Sequence, residues 1–531
     1  MKRSLLLVLF LCLSLAGCGD RDAAIESDGV LHRGNGAEPE SLDVHKTNST
    51  EAGHVQRDLG EGLVGYTPEG NLRPTAAEDW EVSANGTEYT FALRPHARWS
   101  NGDPVTAEDF VYSYRRLVDP ATAALYTDSV NSIVNAAAIL RGEASPDTIA
   151  VEAVGTYELK ITLTQPVPYF LALLAHPSMY PVHRPSIEEH RDQHARPGNL
   201  VSNGAYRLVT WEVGSYIEIE RNEHYWDDGS TSIDRVRHYV TPQPMVELNR
   251  YRAGELDITR TIPPELFAEM KDQRPDEVRV SSALGIYYYG FNLEKEPFAS
   301  NAKLRQALSL AIDRDVIVSL VGRGEQAAYS WVPPGTANYD PQLYSWSRMS
   351  QEERKRRAQQ LYEEAGFGRD EPLTLEVRYN TNETHRQIAV AIQSMWKGVL
   401  GVNVELVNED LQVLLSNVQV GNMEVFRLSW NGDYNDAHTF LTQLESGHSS
   451  NFTQYSSDEY DDLMARAARQ VDPSARKLFL EDAERLALRD YPLIPIYFYI
   501  NRSMVSPRVS GWGDNVLNYH YSQHLSLAVD D

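Results

Sequence analysis

Trp99-Ser-Asn-Gly-Asp-Pro-Val-Thr-Ala-Glu-Asp-Phe110 runs into the first clearly legible helix of the chain. Thr106 with Asp109 three residues on forms a near capping box, and Phe110, Tyr114, Leu117 and Val118 then fall on one helical face. Just upstream, residues 88–94 place Tyr89, Phe91 and Leu93 on one side, which is the period of a strand. Residues 157–163 repeat that period with Tyr157, Leu159, Ile161 and Leu163. Further along, Ser350-Gln-Glu-Glu353 opens a second helix, expected to stop at Ala365-Gly366 because glycine accepts a left-handed cap. Ile388, Ile392, Met395 and Val399 make a third apolar stripe. Strands and helices alternate irregularly, so the expected class is mixed α/β rather than a strict βαβ repeat. Loops such as Pro333-Pro334-Gly335 punctuate a multi-lobed protein with no internal repeat and no low-complexity tract.

Composition narrows the function. The chain has 531 residues, which suggests about three or four domains or fewer large ones. Forty-nine basic against 75 acidic side chains give a formal charge of −26, which disfavours a phosphate-backbone partner and hence nucleic acid. Hydrophobic content of 42% suffices for packed cores. Two cysteines leave no room for a disulfide framework or a cysteine-rich zinc module. Twenty-nine Tyr and nine Trp against 13 Phe favour half-wet surfaces, where an apolar ring carries a polar tip.

The first residues read as an export signal. Lys2 and Arg3 precede an apolar run from Leu5 to Leu15, shorter than the ~20 residues a membrane-spanning helix needs. Leu15-Ala16-Gly17-Cys18 resembles the bacterial lipobox, so residues 1–17 are expected to be removed and Cys18 to become a lipidated first residue. Residues 18–29 then form a polar tether. No later stretch approaches a membrane-spanning length, so the mature chain is expected to be extracytoplasmic and held to a membrane by its lipid alone.

Catalytic motifs are weak. There is no Gly-x-Ser-x-Gly elbow, no phosphate-binding Gly-x-x-x-x-Gly-Lys loop and no His-Glu-x-x-His. His190 and His194 stand four apart beside Glu188 and Glu189, and read as a solvated helix end rather than a metal site. No cofactor and no metal are expected.

A series of blocks in order carries more information. Gly36-Ala-Glu-Pro-Glu-Ser-Leu-Asp43 is followed by Arg57-Asp58-Leu59, Pro74-Thr-Ala-Ala-Glu78, Tyr89-Thr-Phe-Ala-Leu-Arg94 and the 99–110 stretch. Pro166-Val-Pro-Tyr-Phe170, Asn203-Gly-Ala-Tyr206, Asn249-Arg-Tyr-Arg-Ala-Gly-Glu255, Tyr287-Tyr-Tyr289, Trp430-Asn-Gly-Asp-Tyr-Asn435 and Pro495-Ile-Tyr-Phe-Tyr499 continue it. The series resembles the periplasmic oligopeptide-binding proteins of peptide ABC transporters, the family-five solute-binding proteins, over nearly the whole mature chain.

That resemblance implies a three-lobed α/β clamp of the periplasmic-binding-protein type II class, with a hinge and an inserted extra domain. Lobe I takes residues 30–60, 185–285 and 500–531, the inserted lobe II 61–184, and lobe III 286–499. It implies a monomer that does no covalent chemistry, captures short peptides and delivers them to an inner-membrane permease driven by separate ATPase subunits. Asp433 would pair with the peptide's α-ammonium group, because a buried ammonium needs an anionic partner. Trp430, Asn431 and Gly432 would bond the peptide backbone as an added strand, and Asn48, Ser49 and Thr50 would pair its other edge. Arg427 would receive the carboxylate of short peptides through its bidentate fork. His385, at a helix start, would take the carboxylate of longer ones. Tyr126 would lie near the ligand backbone.

Two positions depart from the family pattern. An arginine that helps some members hold dipeptides is Val418 here, and a lysine that serves another peptide length is Ser309 here. Loss of the arginine is shared with relatives that bind murein peptides, so tri- to pentapeptides or a murein tripeptide are expected over dipeptides. Other cargoes of the scaffold (nickel, haem, sugars), a sensory role and a secreted peptidase are the alternatives.

Overall fold

The computed structural model describes residues 29–368 and 370–528. The expected signal peptide, Cys18 and the expected tether up to residue 28 lie outside the described residues. Among the described residues three larger sheets and two two-stranded ones organise the chain; the first two larger sheets each cover one apolar core and the third lies between two.

The first sheet is mixed. Strand Val30–Gly36 runs parallel to Arg235–Val240, which pairs antiparallel with Tyr216–Arg221 and through it with Tyr206–Glu212. Its core gathers Leu31, Ile217, Ile219 and Val236 with Val55 and Leu59 of helix Thr50–Leu59. The second sheet is antiparallel, in the order Ala77–Val82, Glu88–Leu93, Glu158–Thr162, Val151–Gly155. The alternation expected at 88–94 and 157–163 is present: Tyr89, Phe91 and Leu93 are buried opposite Leu159 and Ile161. Helix Ala107–Val118 packs on this sheet with Phe110, Tyr114 and Leu117 fully buried, each contributing about 1.5–3 kcal/mol of burial. Its capping box is formed by Thr106 and Asp109.

The third sheet has six strands, with Val278–Phe291 paired to Val425–Asn431 on one side and to Leu493–Met504 on the other. Helices Ala302–Leu310, Gln351–Glu364 and Glu383–Leu400 cover one face, and Asp458–Ala468 and Pro473–Asp490 cover the other. Ser350 and Glu353 form the expected capping box, and Ile388 and Ile392 are buried as the stripe requires.

Strands Val278–Phe291 and Leu493–Met504 are long because they leave the third sheet and run toward the first. Their pairing holds from Val278↔Met504 to Ser282↔Ile500, breaks, and resumes at Ile286↔Phe498. In that break, Leu284 N–H donates to the Val516 carbonyl and its own carbonyl accepts from Gly432 N–H. The expected lobe changes at 285/286 and 499/500 fall within these two strands.

The first two cores are locked together by buried charge. Arg116, on the helix of the second, holds both carboxylate oxygens of Asp43 at 2.6 and 2.9 Å, and His194 Nε2 lies 3.0 Å from the same carboxylate. Burial pushes Asp43 upward, but the hydrogen bonds from His194 and Arg116 override it and hold its pKa well below the usual carboxylate range. The reading of His190 and His194 as a solvated helix end therefore fails at His194, which is buried against Asp43. Sequence spacing could not show this, because Asp43 lies 151 residues away. Among the described residues no group of three or more His, Cys, Asp or Glu side chains is arranged to hold a metal. No helix among them is long and apolar enough to cross a membrane.

Candidate functional site

The site is built on strand Val425–Asn431. One edge pairs with Val278–Phe291 along its whole length, from Phe291↔Val425 to Gly285↔Asn431. The other edge meets Thr374–Asn380 only at Val425 and Phe426. From Arg427 to Asn431 that edge has no strand beside it among the described residues, so alternate N–H and C=O groups are offered to an incoming chain. Trp430 is half-buried on the core of the third sheet, while Asn431 and Asp433 are exposed and Gly432 is half-buried.

Asp433 follows the strand's end. Its N–H reaches Thr439 Oγ1 at 3.4 Å, and with Tyr434 it lines a cleft of ≈ 360 Å³ whose other wall includes Tyr126, Thr164, Tyr169 and Leu173 of the second core. That volume lies within the ~300–1,000 Å³ range of ligand clefts. Tyr126 rests on His176, ring centroids 4.3 Å apart.

Arg427, at the strand's start, is buried. Its guanidinium donates to Asn380 Oδ1 at 3.0 Å, lies over the ring of Tyr287 and has a long contact of 3.4 Å to the Tyr499 hydroxyl. Its Nε–H has no partner, and among the described residues no carboxylate pairs with it. A buried cation so held is short of an anion. Tyr287 also contacts His385, hydroxyl to Nδ1 3.4 Å, at the start of helix Glu383–Leu400 capped by Asn382. Burial, Arg427 and Arg323 lower the His385 pKa to about 3, so the imidazole is neutral at ordinary pH. Arg323, whose Nη2 donates to Thr384 Oγ1 at 3.0 Å, was not singled out in sequence. It follows an exposed glycine in an irregular turn, and only the fold brings it to the corner of His385.

Ser49 caps helix Thr50–Leu59, accepting from Ala52 N–H at 3.3 Å. Its own N–H donates to Thr47 Oγ1 and its carbonyl accepts from Gly53 N–H, so both backbone groups have partners within the chain. Asn48 and Thr50 are exposed on either side of it.

The two departures take different meanings in the fold. Val418 is fully buried in a lobe core, so it presents no polar group to a ligand. Ser309 is fully buried as well, its hydroxyl 3.1 Å from Arg314 Nη2, so it does not stand where a ligand-binding lysine would. The cations near His385 are Arg427 and Arg323.

Residues 71–452 match the bacterial extracellular solute-binding proteins, family 5 Middle. The chain belongs to this family. Periplasmic oligopeptide-binding protein OppA of Salmonella typhimurium is 39% identical over 540 residues, covering 99% of this chain and 98% of that protein. The family-5 chain also superposes on solved structures of the type II periplasmic-binding-protein clamp. An unliganded open form of the periplasmic murein tripeptide-binding protein MppA, 37% identical, matches with a TM-score of 0.91, covering 94% of this chain and 98% of that one. Haemophilus influenzae OppA in complex with RPPGFSPFR, also 37% identical and covering 94% of this chain and 99% of that one, matches with only 0.69. Identity and coverage are the same in the two comparisons, so the fall reflects how the lobes are disposed. In lobe disposition the chain matches the unliganded form more closely than the peptide-bound one.

Proposed function

We propose that the protein is the extracytoplasmic peptide-capturing component of an ABC-type importer, handing short peptides to a membrane permease with separate ATPase subunits. The single observation that carries this is the open edge of residues 427–431, with an acid at one end and a buried, anion-short guanidinium at the other. A peptide running antiparallel to this edge meets Asp433 with its ammonium group and Arg427 with its carboxylate. Its backbone supplies the missing strand bonds, which give affinity without reading side chains. The four steps of about 3.4 Å from residue 427 to residue 431 span ~14 Å, twice the ~7 Å of an extended dipeptide. That favours tri- and tetrapeptides over dipeptides. Longer peptides carry their carboxylate past Arg427 toward Arg323 and His385.

In this reading lobes I (30–60, 185–285, 500–531) and II (61–184), joined through Asp43 and Arg116, move as one body against lobe III (286–499). Closure about the two long strands then buries Asp433 with its ligand. The protein is held to its membrane through lipidated Cys18. Murein tripeptides are a second reading, supported by the similarity to MppA.

The peptidase alternative has buried Ser, His and Asp groupings to consider at Asp43 and at Asp58. At Asp43, Ser113 Oγ lies 3.4 Å from His45 Nε2 but donates to the Tyr180 carbonyl at 2.7 Å. At Asp58, Ser522 Oγ donates to the carboxylate at 2.6 Å, and His238 lies 3.1 Å from the same carboxylate. The hydroxyl is bonded to the acid rather than to the imidazole, so no base is placed to activate it. Mass spectrometry of ligands that co-purify with the mature protein tests the reading. Peptides of three to five residues are expected; a metal complex, a sugar or haem would overturn it.

A further inference from the structure

Tyr169 belongs to the core of the second sheet, immediately before Phe170, which is fully buried and opens helix Phe170–Leu174. Its ring nevertheless reaches across the cleft. It stacks on Tyr434 with centroids 4.3 Å apart and planes 5° from parallel, and touches His438 at 4.7 Å. Those partners are fixed to their own lobe. The Tyr434 hydroxyl is 2.8 Å from His438 Nδ1, and His438 N–H donates to Asp436 Oδ1 at 2.9 Å. Arg476 in turn grips both oxygens of Asp436 at 2.6 and 2.8 Å. Near the same loop Gly86 also faces lobe III: a Cβ added there would lie 3.3 Å from both Pro166 and Val471.

Each ring is thus rigid with its own lobe, and the stack is made in the disposition that matches the unliganded relative. Parallel rings 4.3 Å apart tolerate little tilt or sliding, so rotation of lobe III against lobes I and II must act on this contact. Asp433 directly precedes Tyr434, and Tyr169, Asp433 and Tyr434 line one cleft.

We propose that Tyr169 is a positioning residue for ligand capture: its stack on Tyr434 and His438 clasps the unliganded clamp in its open disposition, and closure around a ligand at Asp433 breaks the clasp. An aromatic pair of this kind biases the open state about two- to tenfold. Removing the ring shifts the unliganded population toward closure and tightens apparent affinity by up to the same factor, because less of the binding-competent state has to be recruited.

The affinity part rests on the peptide reading; the ligand-free part does not. The test uses the mature protein with Tyr169→Ala, Tyr169→Leu and Tyr169→Phe. Small-angle scattering without ligand reads lobe disposition, and calorimetry with tri-alanine reads affinity. The account expects a smaller radius of gyration and two- to tenfold tighter tri-alanine binding for Tyr169→Ala. Tyr169→Phe keeps the ring but loses the hydroxyl's hydrogen bond with Tyr434, and should fall between the unaltered protein and Tyr169→Ala. Tyr169→Leu keeps apolar contact with the lobe II core and should follow Tyr169→Ala even if the alanine variant folds poorly. Unchanged scattering in the leucine variant, or weaker tri-alanine binding with cooperative unfolding intact, would overturn the clasp. If no variant binds tri-alanine but the radius of gyration falls as expected, the clasp stands and the ligand class is wrong.

Discussion

The guanidinium carbon of Arg427 lies 4.1 Å from the ring centroid of Tyr287. The ring and Asn380 hold the cation in place, while its Nε–H remains without an acceptor. Arg427→Ala should therefore weaken binding of tri-alanine by about 2–4 kcal/mol, since one partner of a desolvated charge pair is lost. Arg427→Lys should fall between, because an ammonium keeps the charge but not the fork. Arg427→Met should leave the unliganded melting temperature unchanged or raised. Calorimetry and thermal melts check all three.

His385 is neutral at ordinary pH, because burial, Arg427 and Arg323 hold its pKa at about 3. Peptide affinity should therefore show no His385 titration between pH 8 and 5.5, and His385→Gln should reproduce the pH profile of the unaltered protein. For stability the sign is fixed by the lowered folded value. The contribution is whole above the ordinary value of 6.5 and is lost as pH falls from there toward 3. Thermal melts at pH 8 and 4.5 should show a smaller acid loss in His385→Gln.

Glu61 behaves in the opposite sense. Burial raises its pKa to about 7, although Tyr225 OH and Trp226 Nε1 donate to it at 2.9 and 2.6 Å. The folded chain keeps the proton between the ordinary 4.5 and 7 while the unfolded chain releases it, so stability falls as pH rises through that window. A rise from 4.5 to about 7 corresponds to at most ~3.5 kcal/mol. Glu61→Gln can still accept from Trp226 and donate to the Tyr225 oxygen. It should be more stable than the unaltered protein at pH 8 and indistinguishable at pH 4, as denaturant titrations would show.

Asp433 is exposed, and in the proposed closure it is buried with its ligand. Asp433→Ala should thus leave thermal stability without ligand unchanged and weaken tri-alanine binding by roughly 3–5 kcal/mol. A comparable loss of stability without binding loss would contradict its role.

Local chemistry made much of the fold readable. The Thr106–Asp109 and Ser350–Glu353 boxes, the alternation around Phe91 and Leu159, and the Ile388/Ile392 stripe each act within a few residues of themselves. The family blocks made the clamp readable as well. What stayed hidden depends on distant encounters. His194 meets Asp43 across 151 residues, Arg323 meets the corner of His385 through a turn of no distinctive pattern, and Tyr169 crosses the cleft to Tyr434. Burial also changed the meaning of two substitutions. Ser309 and Val418 look like altered ligand contacts in sequence, yet both side chains are closed inside lobe III.

The central claim is that a free α-ammonium group at Asp433 anchors the ligand. Calorimetry of the mature protein with tri-alanine and with N-acetyl-tri-alanine tests it without altering the protein. The acetyl group removes the charge and leaves the backbone and the carboxylate in place. At least a hundredfold weaker binding of the acetylated peptide is expected, and equal affinity for the two would contradict the account.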